Sequence, residues 1–243
     1  MPVESKPLFR PDVLSRHLRS FTPPELPDGV RQELAQWGEL VGSGRIDTFK
    51  ETELRPEFFQ LFFHRILGYR GPSDGGQHWT ISQEKHVEVE GEFADAVLGD
   101  FHDNASPRFV VAVEAKGPKD PLDRPYGGRR LSAVDQGYRY AINLPCEWIV
   151  ATSLREIRLY GKSTDQHTYE SIDTEQLARD DAALKRFVYL LGAPRVVPAS
   201  GECHLAALRA ESEKVGRELT HAFYGRYSEM RRGMFASLSR DNP

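Results

Sequence analysis

Phe93-Ala94-Asp95-Ala96-Val97-Leu98 and, beyond a polar break from His102 to Arg108, Phe109-Val110-Val111-Ala112-Val113-Glu114-Ala115-Lys116-Gly117 are the two runs that decide the fold. Both are short and apolar, bounded by turn residues, as buried strands are. Each also carries an acid within or near the end of the run. A lone buried carboxylate is costly, so two acids and a lysine on adjacent strands need something to neutralise them. A divalent cation is one candidate, and a mutual salt-bridged cluster at a sheet end is the plainer alternative. Side chains alternate along a strand, which puts Glu114 and Lys116 on one face, with Asp95 114 − 95 = 19 positions earlier on the neighbouring strand. Magnesium takes hard oxygen ligands and keeps several waters, so Asp95, Glu114 and the carbonyl of Ala115 offer a partial shell, with Lys116 left to stabilise charge.

Upstream, Thr48-Phe49-Lys50-Glu51 has the form of a capping box, and a helix is expected from there to Leu67, ended by Gly68. Phe58, Phe59, Leu61, Phe62, Phe63, Ile66 and Leu67 cover so much of its circumference that it must be largely buried. Glu51 shares a stripe with Leu54, Phe58 and Phe62, whereas Glu53 shares a side with Glu57, Gln60 and His64 and should face water. Glu51 therefore either completes the capping box or points toward the core. Before this helix, Val30, Leu34, Trp37, Leu40 and Val41 predict a shorter one stopped at Gly42 and Gly44, and the proline-rich residues 1–28 are expected to be an irregular lead-in.

From Trp79 to Glu90 an imperfect alternation predicts a half-exposed strand, with Ile81, Val87 and Val89 on one face and Lys85, Glu88 and Glu90 on the other. His86 reads as a surface or edge residue, having no histidine or cysteine at ligand spacing. Downstream, the loop holding Lys119, Arg124, Arg129 and Arg130 leaves the Glu114 strand with four cations and Tyr126, a composition suited to a phosphate backbone and equally to a solvated loop. A helix is expected from Leu131 to Ile142, carrying Gln136 and Tyr140 one turn apart. Strands are expected at 147–152 and 156–160, with a short one at 169–172, then a helix from Glu175 to Leu191. After the boundary at Pro198-Ala199-Ser200-Gly201, a long helical segment interrupted near Gly225 carries one apolar stripe, which must fold back, pair with another chain or lead into a further domain.

Composition narrows the classes. The 243 residues carry 39% hydrophobic and 28% charged side chains, ordinary globular values, and no apolar run reaches the roughly 20 residues of a membrane helix. A net charge of −4 argues against coating nucleic acid through overall charge, so any polyanion contact must be local. Met1 to Arg10 lacks a secretory apolar core, and Cys146 and Cys203 give no disulfide framework, so a reducing cytoplasm is expected.

Taken together, Phe93-Ala94-Asp95, Glu114-Ala115-Lys116 and an acid on the first core helix, Glu51, resemble the PD-(D/E)XK nuclease superfamily over roughly residues 47–192, with Ala94 where the family name has proline. Gln136 and Tyr140 resemble the Q-x-x-x-Y motif of its RecB-like branch. The phrases Leu67-Gly68-Tyr69, Ser132-Ala133-Val134-Asp135-Gln136 and Arg155-Glu156-Ile157-Arg158-Leu159-Tyr160 look like the N-terminal endonuclease region of Type IIG restriction-modification enzymes. No methyltransferase motif is present.

The resemblance implies an α/β restriction-endonuclease-like core, a mixed central sheet flanked by helices, over 46–197. Residues 1–45 would be a lead-in with a short helix, and 202–243 a helical extension or connector. It implies Mg²⁺-dependent hydrolysis of double-stranded DNA, with Mn²⁺ able to substitute. Asp95, Glu114 and the Ala115 carbonyl would be ligands, Glu51 an outer ligand, Lys116 the charge stabiliser and Gln136 a positioning residue. Lys119, Arg124, Arg129, Arg130 and Tyr140 would meet DNA. A methyltransferase or specificity domain, in the same or a partner chain, would be the partner, within restriction-modification or phage defence. The alternatives are a non-catalytic DNA-binding or docking module that keeps the fold, and a protein that oligomerises through residues 202–243.

Overall fold

The computed structural model describes residues 5–74, 76–86, 93–103 and 105–241. Six strands form one mixed sheet in the order β1-β2-β3-β4-β5-β6: His78–His86, Phe93–His102, Ala105–Ala115, Trp148–Thr152, Glu156–Gly161 and Tyr169–Asp173. β1, β2 and β3 form an antiparallel meander, as do β4, β5 and β6; among these strands β3 and β4 are the pair that runs parallel. A parallel pair needs a crossover, and α4 (Ala133–Asn143) supplies it. Helices cover both faces, which is why β4 is a continuous apolar run, Trp148-Ile149-Val150-Ala151-Thr152, buried at every position. The chain is thus α/β, with a central sheet flanked by helices and a long C-terminal helix. Among the described residues no helix is long and apolar enough to cross a membrane.

One face of the sheet packs under α2 (Val30–Gly42), α3 (Glu51–Phe58) and α5 (Asp181–Leu191), the other under α4. α3 continues without a break into a wider π-helical segment, Phe59–Ile66, where the Leu67 N–H donates to the Phe62 carbonyl. This turns Phe58, Phe59, Phe62 and Phe63 into one aromatic stack against Trp37 and Phe187, and Gly68 then ends the helix at φ +77°. Burying so many large rings, at about 1.5–3 kcal/mol each, anchors the helix that carries Glu51. On the other face Gly137 lets α4 lie close to the sheet, since a Cβ there would come 2.6 Å from Ile149 Cγ2.

Several boundaries differ from the sequence reading. Residues 11–20 are not irregular but form α1 (Pro11–Ser20), with Pro11 in the first turn, where its missing N–H costs nothing, and with Val13 and Leu14 buried. The buried cluster extends from Leu8 to Leu208, so the lead-in belongs to the core. Thr48 does not cap α3, because it ends a 3₁₀ turn (Arg45–Thr48); the Lys50 N–H instead donates to the Glu53 carboxylate at 2.7 Å. The polar break between β2 and β3 is shorter than expected, since Ala105 to Arg108 already pair in β3. The expected helix from Glu175 is split, with a 3₁₀ turn at Gln176–Ala178 and α5 capped by Asp180, whose carboxylate accepts from the Ala182 N–H at 2.8 Å. A four-residue helix, α6 (Ala193–Val196), follows α5. The last helix, α7 (His204–Asp241), is uninterrupted at Gly225; Leu205 and Leu208 are buried, while Leu219, Phe223, Tyr227 and Met230 are exposed. Residues Val87 to Glu90, expected to complete the first strand, lie outside the described residues, as does the side chain of His86.

Candidate functional site: an acidic cluster at the ends of β3 and β4

The carboxyl ends of the one parallel pair, Ala115 on β3 and Thr152 on β4, lie side by side, and the Lys116 N–H continues the ladder by donating to the Thr152 carbonyl at 2.8 Å. Carboxyl ends of strands in open α/β sheets are where such folds place ligands, because the connections diverge there. Glu114 projects from β3 and is ion-paired with Lys116, as the strand alternation predicts. Asp95, on β2, reaches across, and its Oδ2 accepts from the Ala115 N–H at 2.8 Å. From the N-terminus of α3, Glu51 Oε2 accepts from the Gly117 N–H at 3.1 Å. Asp95, Glu114, Lys116 and Glu51 are therefore all placed around the end of β3, and Glu51 bonds the backbone there while Glu53 does the capping.

The cluster is crowded with charge and short of water. The Glu114 side chain is 2% exposed and that of Lys116 13%. Burial, with the Asp95 charge adding to it, pushes the Glu114 carboxyl up to about 8 against the opposing pull of Lys116. Burial also raises Glu51, which Lys116 opposes and Asp95 reinforces. One Lys116 is therefore too little compensation. Glu114 Oε2 is buried and accepts no hydrogen bond from a protein donor, which is costly when the oxygen is ionised and leaves an acceptor for a cation; the Asp95 carboxyl is near enough to hydrogen-bond Glu114 in its protonated form.

A residue that sequence reasoning passed over completes the cluster. Arg55 donates to Asp95 Oδ1 and lies 3.8 Å from Glu51 and 3.4 Å from Glu84. Its signal was its place four residues after Glu51, on the same helix face. With Arg55 and Lys116 present, three acids meet two cations. The acids Glu51, Asp95 and Glu114 fit a divalent ion by donor type and by the orphaned Glu114 oxygen. They are not drawn together, however: among the described residues the only three such donors all within 4.8 Å of one another are elsewhere, at His78, Asp100 and His102.

Around this cluster the remaining expected residues divide. Gln136 is half-buried on α4, the helix that crosses β3 and β4. Tyr140, expected at DNA, is 5% exposed and packs in the core beneath α4 with Val97, Ala112 and Ile149, where Gly137 draws the helix onto the sheet. Lys119, Arg124 and Arg130 are exposed on the loop after β3. Arg129 is held instead, donating to the Asp120 carboxylate and, at 3.0 Å, to the Tyr126 carbonyl, and it is near enough to Glu51 to favour its ionised form. The loop is pinned to α4 where the Val134 N–H donates to the Leu122 carbonyl at 3.2 Å. Compared with protein-family models, characterised proteins and solved structures, the chain has no significant match.

Proposed function

We propose that the chain is a divalent-metal-dependent nuclease domain that hydrolyses DNA phosphodiesters, acting in the cytoplasm in a restriction-modification or phage-defence system. The observation that carries this is the buried Oε2 of Glu114, which accepts from no protein donor, beside Asp95, Glu51 and Lys116 at the carboxyl ends of the parallel strands. Asp95, Glu114 and the Ala115 carbonyl would hold Mg²⁺, or Mn²⁺ in its place, with Glu51 as an outer ligand. When bound, the ion would supply positive charge at the phosphate and lower the pKa of the attacking water.

The chain's own residues do the rest. Lys116 offers its ammonium to the charge that builds on the phosphate oxygens, and Glu114 fixes where that ammonium sits. Gln136 positions the site from α4, and exposed Lys119, Arg124 and Arg130 meet the backbone of double-stranded DNA. Target choice would fall to a methyltransferase or specificity domain. Duplex plasmid incubated with magnesium and either the parent or Lys116→Ala tests this, with equal folding confirmed by thermal melting. Cutting should fall by about 10²–10³, the usual consequence of losing one charge-stabilising group; equal cutting by both removes Lys116 from the mechanism.

A second reading, a non-catalytic DNA-binding or docking module, draws support from the same cluster, because Arg55 on Asp95 and Lys116 on Glu114 compensate much of the charge internally. Calorimetry separates the two. Magnesium or manganese binding that disappears in Asp95→Asn favours the nuclease, and its absence in the parent favours the module.

A further inference from the structure

β2 carries a second group of ligating side chains at its far end. His78, the first residue of β1, and His102, the last of β2, are partners across the antiparallel pair, and Asp100 lies two residues before His102. His78 Nε2 lies 2.6 Å and His102 Nε2 3.0 Å from the same oxygen, Asp100 Oδ1. The two imidazoles stack with centroids 4.6 Å apart and planes inclined by 24°. One nitrogen from each ring and one carboxylate oxygen all lie within 4.8 Å of one another. The other carboxylate oxygen has Arg108 Nη2 3.9 Å away, a long contact that leaves Oδ1 to the histidines.

We propose that His78, Asp100 and His102 form a binding site for a divalent transition-metal ion, with Zn²⁺ its favoured occupant, separate from the acidic cluster. Two imidazole nitrogens and one carboxylate are a donor set that zinc accepts in a tetrahedral shell, with the fourth position open to water or another ligand. Magnesium, which selects oxygen and dehydrates reluctantly, is disfavoured by the same set. Tetrahedral bonds of about 2.0–2.1 Å place donor atoms about 3.3 Å apart, so the two histidine-to-carboxylate spacings need to open by less than an ångström, while the two ring nitrogens already lie within 4.8 Å of each other. The strand backbone prepares this arrangement. Cross-strand partners and residues two apart on one strand share a face, so no loop has to be ordered on binding. The rings are partly exposed, which gives the ion a direct path from solvent. Asp95 lies five residues away along β2, about 16 Å at the usual rise, so the two sites share a strand without sharing ligands. Occupied, the site would tie edge strand β1 to β2 at the end remote from Glu114.

The test is titration of the full chain, as the metal-free protein, with zinc chloride, followed by calorimetry and by the visible absorption of cobalt(II) as a replacement ion. The comparison set is the parent, His102→Ala, His78→Ala/His102→Ala, Asp100→Asn and Glu114→Gln, each checked for a cooperative melt well above the titration temperature. One equivalent should bind to the parent with a tetrahedral cobalt spectrum. Affinity should drop at least tenfold in each of the three cluster variants and stay at the parent's value in Glu114→Gln. No binding to the parent, a drop of less than tenfold in the double histidine variant, or loss of binding in Glu114→Gln would overturn the proposal. Such a loss in Glu114→Gln would put the ion in the acidic cluster.

Discussion

Asp95 and Asp100 stand five residues apart on one strand, and the fold treats them in opposite ways. Asp95 sits beside buried Glu114, and the protein meets its charge with fixed cations and backbone, through Arg55, the Ala115 N–H and, close by, Lys116. Asp100 is nearer water and meets two histidines, with Arg108 at the edge of reach. Where solvent is excluded, charge has to be answered by permanent charge, and even then Glu114 is driven toward its neutral form. Where solvent remains, two imidazoles and a distant arginine suffice. One end of β2 therefore collects oxygen donors with a deficit of positive charge, and the other a mixed nitrogen and oxygen set, which makes them suited to different ions.

The largest effect expected from breaking this contrast is at Glu114. Replacing it with glutamine keeps the shape but removes the charge and the proton exchange, so magnesium-dependent cutting should fall at least as far as in Lys116→Ala. The same variant reads the proton. Glu114 titrates near 8 in the folded chain against an ordinary 4.5, so between those values the folded state keeps a proton that the unfolded state has released. Stability of the metal-free parent should then fall as pH rises through that window, and Glu114→Gln should lose that slope. Because a ligating carboxylate must be ionised, magnesium should bind more tightly as pH rises toward and past 8. Melting curves from pH 5 to pH 9 with the same slope in both proteins would contradict the assignment.

A smaller effect sharpens the comparison from the cationic side. Arg55→Ala strips Asp95 of its cation and leaves it the Ala115 N–H. The metal-free protein should lose about 1–3 kcal/mol, the usual cost of an abandoned, partly buried polar partner. If Arg55 occupies the place of a metal ion's charge, magnesium should restore more stability to this variant than it adds to the parent. Equal gains in melting temperature would show that Arg55 and the ion do not compete.

How much of this was legible beforehand depends on what the information was made of. The strands around Asp95 and Glu114 were legible because period-two alternation and turn residues are local, and Glu51 because helical geometry fixes which face it shares with Phe58. The helix at Pro11 was hidden by a proline that marks a breaker in mid-helix and a good first residue at the start, a choice made only when Val13 and Leu14 find the core. Arg55 was missed because its role exists only once β2 is beside α3. The His78, Asp100 and His102 group was missed for the same reason: its histidines are 102 − 78 = 24 positions apart and meet through strand register, a property of pairing rather than of spacing. The burial of Tyr140 was not legible because a four-residue interval says which residues share a helix side but not which side faces the sheet; Gly137 settles that by letting α4 approach Ile149.

The smallest effect separates two neighbouring arginines on the loop after β3. Arg129 is committed within the protein to Asp120 and the Tyr126 carbonyl, whereas Arg130 is exposed. A cation that meets a phosphate displaces counterions, and each such contact adds about 0.9 to the slope of log affinity against log salt. Arg130→Ala should therefore lower duplex binding modestly, alike for all sequences, and reduce that slope by about one contact. Arg129→Ala should act on the loop instead, loosening the link between Asp120 and Tyr126 and removing one of the charges that oppose the upward shift of Glu51 by burial. Fluorescence anisotropy of a labelled duplex across a salt series, with magnesium omitted to prevent cutting, measures both. A parent-like slope for Arg130→Ala would move the DNA path off this loop.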